Sequence, residues 1–230
     1  MLKSIIKLFN RESLLDQAYS DVLTMLKEDK EMFDEAIRSL RYSDTAELRF
    51  DFREKDRMIN KFEREVRKKV LTHLSVQQGF DVSAALVITS IVHDVERLGD
   101  YCKNIADLAR LHPTRLLLGK HEMDFNSIEE AVSTRFQNTI IALETFDTNL
   151  AETILDRHSD ITRFCDQFVK MLVDEKVDDL EAGGYATLAL YTRYLKRITS
   201  HLSNIASSIV NPFHRIGFKP KKRSLNNGSD

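Results

Sequence analysis

The chain has 230 residues, 42% hydrophobic and 30% charged, with a formal net charge of −2. That is enough apolar material to bury a core, so a disordered chain is excluded, and acids interspersed among the bases exclude a nucleic-acid-binding face. Seven glycines and three prolines lie far below the usual roughly 7% and 5%, which excludes a turn-rich β fold and predicts an all-α protein with long helices.

The N-terminal MLKSIIKLFN has neither the apolar core nor the small-residue cleavage site of an export signal. No later apolar run approaches the roughly 20 residues that span a bilayer, so a cytoplasmic location is expected. Leu2, Ile5, Ile6 and Phe9, interleaved with Lys3 and Lys7, suit docking on the helical body, a membrane surface or a partner helix. The first helical pattern runs from about Ser13 to Leu40, followed by the cap candidates Ser43, Asp44 and Thr45. A second helix is expected over about Ala46–Gln77, with Ile59, Phe62, Val66, Val70 and Leu74 as its apolar stripe, ended by Gly79. A third spans about Val82–Leu111 and stops at Pro113, which cannot continue a helix. Three long helices joined by short loops are the pattern of an antiparallel bundle.

A connector, Leu117 to Asp124, follows, with Asp124 or Asn126 as the expected cap. The same order of events then recurs: a fourth helix at about Ser127–Thr145, a fifth at about Leu150–Asp174, a turn at Gly183-Gly184, and a sixth at about Tyr185–Val210 before Pro212. At an offset of 100 residues, Ile88, Ile91, Val95, Leu98, Cys102, Ile105 and Ala109 correspond to Leu188, Tyr191, Leu195, Ile198, Leu202, Ile205 and Ile209. Arg97, Asn104, Ile105 and Ala106 recur as Arg197, Asn204, Ile205 and Ala206. This self-similarity predicts two tandem antiparallel three-helix bundles, six long helices in all, from an internal duplication. The expected units are 1–112, a connector 113–126, 127–212, and a basic, polar, mobile tail 213–230. Cys102 and Cys165 fit no metal-finger spacing, and Cys102 falls on the apolar seam as a small buried side chain in a reducing compartment.

Ile91–Asp107 carries a second pattern. At about 100° per residue, His93, Glu96, Asp100, Asn104 and Asp107 share the face opposite the apolar seam. Asp56, Asn60 and Glu63 lie one turn apart on the second helix. Hard cations favour carboxylate oxygens, and acids spaced i, i+4 supply two of them from adjacent turns. Asp56, Asn60, Glu96 and Asp100 are therefore the candidate metal ligands of the first repeat, weighed against ordinary solvated acids balanced by Arg57, Arg64, Arg67, Arg97 and Lys103. In the second repeat Asp156 and Asp160 reproduce Asp56 and Asn60, but Lys196 and Ser200 replace Glu96 and Asp100, and Arg193 replaces His93. Any second site is expected to be incomplete or occupied by Lys196 as internal counter-ion to Asp156 or Asp160, which leaves one metal site at most. No phosphate-binding glycine loop, nucleophile elbow or Glu-x-x-His pair is present, so an enzyme is not expected. His73, His112, His121, His158, His201 and His214 are scattered and read as surface or cap residues.

The segments DRMINKFEREVRKKVLTHL (Asp56 to Leu74) and HDVERLGDYCKNIADLA (His93 to Ala109) resemble the second- and third-helix signatures of the PhoU family of phosphate-uptake regulators. DRHSDITRFCDQFVKML (Asp156 to Leu172) and RYLKRITSHLSNIASSIV (Arg193 to Val210) are similar but degraded, and the resemblance covers about Ser13 to Pro212. It implies two three-helix bundles whose acidic motifs bind a metal ion or cluster: iron, zinc, manganese or magnesium. It also implies a non-enzymatic adaptor contacting a membrane phosphate transporter, a two-component sensor kinase or both, with membrane association through that partner, and homodimerisation in view. The competing readings are a helical metal-storage or redox protein and a metal-free structural bundle.

Overall fold

The computed structural model describes residues 13–76, 81–112, 114–174 and 183–220, and within them every regular element is helical. We number them α1 (Leu14–Tyr42), α2 (Phe52–Val76), α3 (Val82–Leu111), α4 (Glu122–Thr145), α5 (Thr148–Asp156), α6 (His158–Val173) and α7 (Gly184–Val210), with short 3₁₀ turns at Gly119–His121 and Phe213–Arg215. The two tandem three-helix bundles are present, α1 to α3 and α4 to α7, where α5 and α6 are one helix interrupted at Arg157.

The apolar patterns account for the packing. All fourteen duplicated seam residues are buried, from Ile88 to Ala109 on α3 and from Leu188 to Ile209 on α7. In the first bundle α3 packs on α1 and α2; in the second α7 packs on α4, α5 and α6; and α3 packs on α7, merging the two cores into one cluster. Across that central contact Asp94 Oδ1 accepts from Asn204 Nδ2 at 3.0 Å and lies 2.7 Å from His201 Nδ1. Tyr101 stacks on His201, and Arg197 Nε donates to the Tyr101 hydroxyl.

Helix ends follow local chemistry with some shifts. Ser13 and Asp16 form a reciprocal capping box that starts α1. The second helix begins at Phe52 rather than Ala46, since Ala46 takes a positive φ of 53° and Asp51 accepts from the Arg53 amide. The fourth begins at Glu122 rather than Ser127. Neither Asp124 nor Asn126 caps it; the Gly119–His121 turn leads into it, and Glu122 Oε2 reaches back to the Leu118 amide. The fifth helix is not continuous: Arg157, at φ −81° and ψ 0°, separates α5 from α6 without proline or glycine. Gly183, with φ 84°, admits the chain into α7. Gly79, residues 1–12 and the polar end from 221 onward lie outside the described residues. Within them, no helix is long and apolar enough to cross a membrane.

A buried ionic network ties the bundles together. The Arg41 side chain, fully buried at the end of α1, donates to Glu129 Oε1 and Glu122 Oε1, both at 2.7 Å, and to the Leu116 carbonyl at 2.5 Å. The Tyr191 hydroxyl donates to the same Glu129 oxygen at 2.6 Å. Removing one partner of a buried pair leaves the other charge uncompensated. Arg41→Met is therefore expected to cost about 3–5 kcal/mol in urea unfolding, and Arg41→Met/Glu129→Met to recover most of that loss.

Candidate metal centre

The acidic face of the first bundle is built from three helices. Asp56 and Asn60 lie on α2, and Glu96 and Asp100 on α3, all partly buried where the two helices pack. Cations already bridge these acids: Lys103 Nζ lies 2.9 Å from Asp56 Oδ1 and 3.5 Å from Asp100 Oδ1, and Arg97 lies 2.8 Å from Asp100 and 3.3 Å from Glu96. Asn60 turns inward on its own helix, its Nδ2 donating to the Asp56 carbonyl at 3.0 Å. Glu63 and His93 join the group: Glu63, His93 and Glu96 each bring a ligand atom within 4.8 Å of the other two.

Beneath this surface lies Asp29, in the middle of α1, with 0% exposure and neither carboxylate oxygen hydrogen-bonded. Burial pushes its carboxyl well above the ordinary range, and the nearby charges of Glu96, Glu28, Asp100 and Asp56 push in the same direction. Glu96 is raised too, first by burial and then by Asp100. Its Oε2 makes no hydrogen bond, because Arg97 is near without suitable geometry. Gly99 makes room for this arrangement: a Cβ there would stand 2.8 Å from Asp29 Oδ1 and 3.0 Å from Ile59 Cδ1. A glycine inside a helix costs roughly 1 kcal/mol relative to alanine, and here the close approach of α1 requires it. The Cys102 thiol donates to the Asp29 carbonyl at 3.6 Å.

An unpaired buried carboxylate is unstable unless it is protonated or meets a cation. The charges of Asp56, Glu96 and Asp100 all reach Asp29, and Glu63, His93 and Glu96 are the group that brings ligand atoms together, with the oxygen and imidazole donors that divalent cations take. The donors of Glu63, His93 and Glu96 fit a bound cation, whereas Asp56 and Asp100 are already bridged by Lys103. Asp29 escaped the sequence reading because, with Met25, Met32 and Phe33 buried around it, its position reads as ordinary core-facing helix. Its detectable signal is a lone acid on an apolar stripe, matched by a glycine on the facing helix.

The second bundle differs. Asp156 and Asp160 are exposed. Lys196 pairs with Asp166 on α6, not with Asp156 or Asp160 as expected, because the break at Arg157 changes which α6 acid faces α7. The Ser200 hydroxyl donates to the Lys196 carbonyl on its own helix. Several histidines are more buried than a surface reading allows: His73, at 3% exposure, faces Asp81, and His201 faces Asp94. Both cysteines are buried, Cys102 on the seam, and burial pushes the Cys165 thiol up to about 12.

Tandem three-helix bundles with an acid-lined face in the first define a duplicated, all-helical protein. The PhoU domain profile matches residues 22–109 and again 125–209, and the chain belongs to the PhoU family. It is 25% identical over 167 residues to the phosphate-specific transport system accessory protein PhoU homolog of Aquifex aeolicus, covering 72% of this chain and 75% of that one. Homologs bearing the same description in Synechocystis and Pseudomonas putida are 22% and 24% identical, covering 86% and 88% of this chain and 88% and 79% of their own lengths. The crystal structure of PhoU from Pseudomonas aeruginosa superposes with a TM-score of 0.77 at 24% identity, covering 86% of this chain and 95% of that one.

The raised Asp29 carboxyl has a definite sign. Below the ordinary carboxyl range, near 3.9, folded and unfolded chains both hold the proton; above it the unfolded chain ionises first, so rising pH disfavours folding. In the presence of chelator, wild-type stability should fall between pH 5 and pH 8, and Asp29→Asn should make that slope shallower, as read by thermal unfolding at the two pH values.

Proposed function

We propose that this protein is a non-enzymatic regulator of phosphate transport, acting by contact with a membrane phosphate transporter, and with a sensor kinase, at the inner face of the membrane. Support comes from the two PhoU-domain matches and from relatives described as accessory proteins of phosphate-specific transport systems. Regulation would be differential binding: the helical surface stabilises one state of its partner over another, which is what shifts an equilibrium.

The acidic centre serves this role as a cation site that orders the α1–α2–α3 face. The observation that carries it is Asp29, buried and unpartnered among Asp56, Glu96 and Asp100. A bound ion would supply charge neutralisation, and Asp29, Asp56, Glu96 and Asp100 are the carboxylates that would hold it. Glu63 and His93 extend the site along α2 and α3. Asp156 and Asp160 are not included, because Lys196 and Ser200 stand where their partner acids would be.

Two measurements test these halves separately. Adding manganese, iron(II), zinc or magnesium to metal-free protein should raise the melting temperature by about 5–10 °C at a hundredfold excess over Kd for the preferred ion. Glu96→Ala/Asp100→Ala should lose that rise while keeping its helicity; an unchanged rise overturns the site. Affinity capture from cells grown in high phosphate should recover a phosphate transporter or a two-component kinase, and recovery of neither counts against the regulatory reading.

A further inference from the structure

The second bundle buries a charge of the opposite sign. Arg135 on α4 is 5% exposed. Its Nη1 donates to Ser203 Oγ at 2.8 Å, and among the described residues it forms no ion pair with a carboxylate. Ser203 Oγ in turn donates to the Thr199 carbonyl and lies 2.9 Å from His158 Nδ1. The contrast with Arg41 is direct: one buried guanidinium has two carboxylates, the other a neutral hydroxyl. Burial alone pulls Arg135 down to about 10. Burial, together with the positive charges of Arg135, Lys219 and Lys196, holds His158 below its usual range. Within hydrogen-bonding reach the Arg135 guanidinium thus has a neutral hydroxyl and no carboxylate among the described residues.

Arg135 also lines a cavity of about 450 Å³ between α4, α5 and α6, within the size range of small-molecule sites. Thr134, Asn138 and Thr153 bring polar groups to its wall, and Arg157, the residue at the helix break, brings a second guanidinium. Glu130 and Asp160, both exposed, lie at its rim. A guanidinium presents a planar fork of donors that matches an oxyanion, and hydrogen bonds to charged oxygens are roughly twice as strong as neutral ones. The rim carboxylates discriminate further. They repel an oxyanion that has lost every proton, such as sulfate, and can accept a hydrogen bond from one that keeps a proton, as hydrogen phosphate does near neutral pH.

We propose that Arg135 and the cavity it lines form a binding site for a phosphate group, carried by free inorganic phosphate or by a small phosphate monoester. The site is separate from the acidic centre of the first bundle, and it rests on Arg135 rather than on any transport partner. In the first bundle Asp29 on α1 meets Gly99 and Cys102 on α3, and in the second Arg135 on α4 meets Ser203 on α7. Where α3 carries Glu96, Asp100 and Lys103, α7 carries Lys196, Ser200 and Ser203. The duplicated scaffold thus holds a cation centre in one half and an anion centre in the other.

Isothermal titration of the full-length protein with inorganic phosphate, glycerol phosphate and sulfate, in the presence of chelator, tests this. Saturable binding of phosphate or of the monoester is expected, with sulfate roughly tenfold weaker or more, and the tighter of the two phosphate ligands identifies the source. Arg135→Met should remain folded, since it removes an unpaired buried charge, and should lose roughly tenfold to a hundredfold in affinity. Should that variant fail to fold, Arg157→Gln, at an exposed position, is expected to weaken phosphate severalfold. Glu96→Ala/Asp100→Ala should bind phosphate like wild type. The site is overturned if neither phosphate ligand binds up to about 10 mM, if folded Arg135→Met or Arg157→Gln binds as wild type does, or if sulfate binds as tightly as phosphate.

Discussion

The packing of α3 against α7 is the contact on which the rest of the protein depends. Each is the central helix of its own bundle, so the face it turns to the other must be apolar enough to bury and specific enough to fix one register. The apolar seam does the first, and burial of side chains such as Leu98, Ile105, Ile198 and Ile205, worth roughly 1.5–3 kcal/mol each, drives it. Asp94 does the second: it faces both His201 and Asn204, so a slip along the helix would strand a nearly buried carboxylate. With α3 and α7 set, the positions of α1, α2 and α4 to α6 follow from their own stripes.

Within that frame several charged side chains are taken almost wholly out of water, and Arg41, Asp29 and Arg135 meet the desolvation cost in three different ways. Arg41 is matched by Glu129 and Glu122 and acts as a clasp between bundles. Asp29 is matched by nothing and sits among other acids, a condition relieved by a proton or a cation. Arg135 has only a hydroxyl and an adjoining cavity. Uncompensated buried charge is costly to retain. The two unmatched cases coincide with the places where each bundle presents groups able to receive an ion.

Duplication accounts for the symmetry of this arrangement and divergence for its sign. The seam is retained in both copies because removing it would leave a bundle without a core. The acids Glu96 and Asp100 of α3 have no such structural duty, and in the second copy they give way to Lys196 and Ser200 with the helix intact. Gly99 follows the same logic: its counterpart is Thr199, whose carbonyl accepts from the Ser203 hydroxyl.

Periodicity and punctuation in the sequence were sufficient for the all-α class, the three-helix repeat and the buried seam, because each depends on local spacing along a helix. The helix break at Arg157 was not legible, since no proline or glycine marks it. Nor were the inward turn of Asn60, the pairing of Lys196 with Asp166, or the burial of His73 and His201, all of which depend on what faces a residue from another helix. Asp29 and Arg135 make the division clearest. In sequence each is one charged residue in a helix full of charges. Only the packing of α1 on α3 and of α4 on α7 removes their water, and it is the loss of water without a partner that turns them from solvated charges into candidate sites.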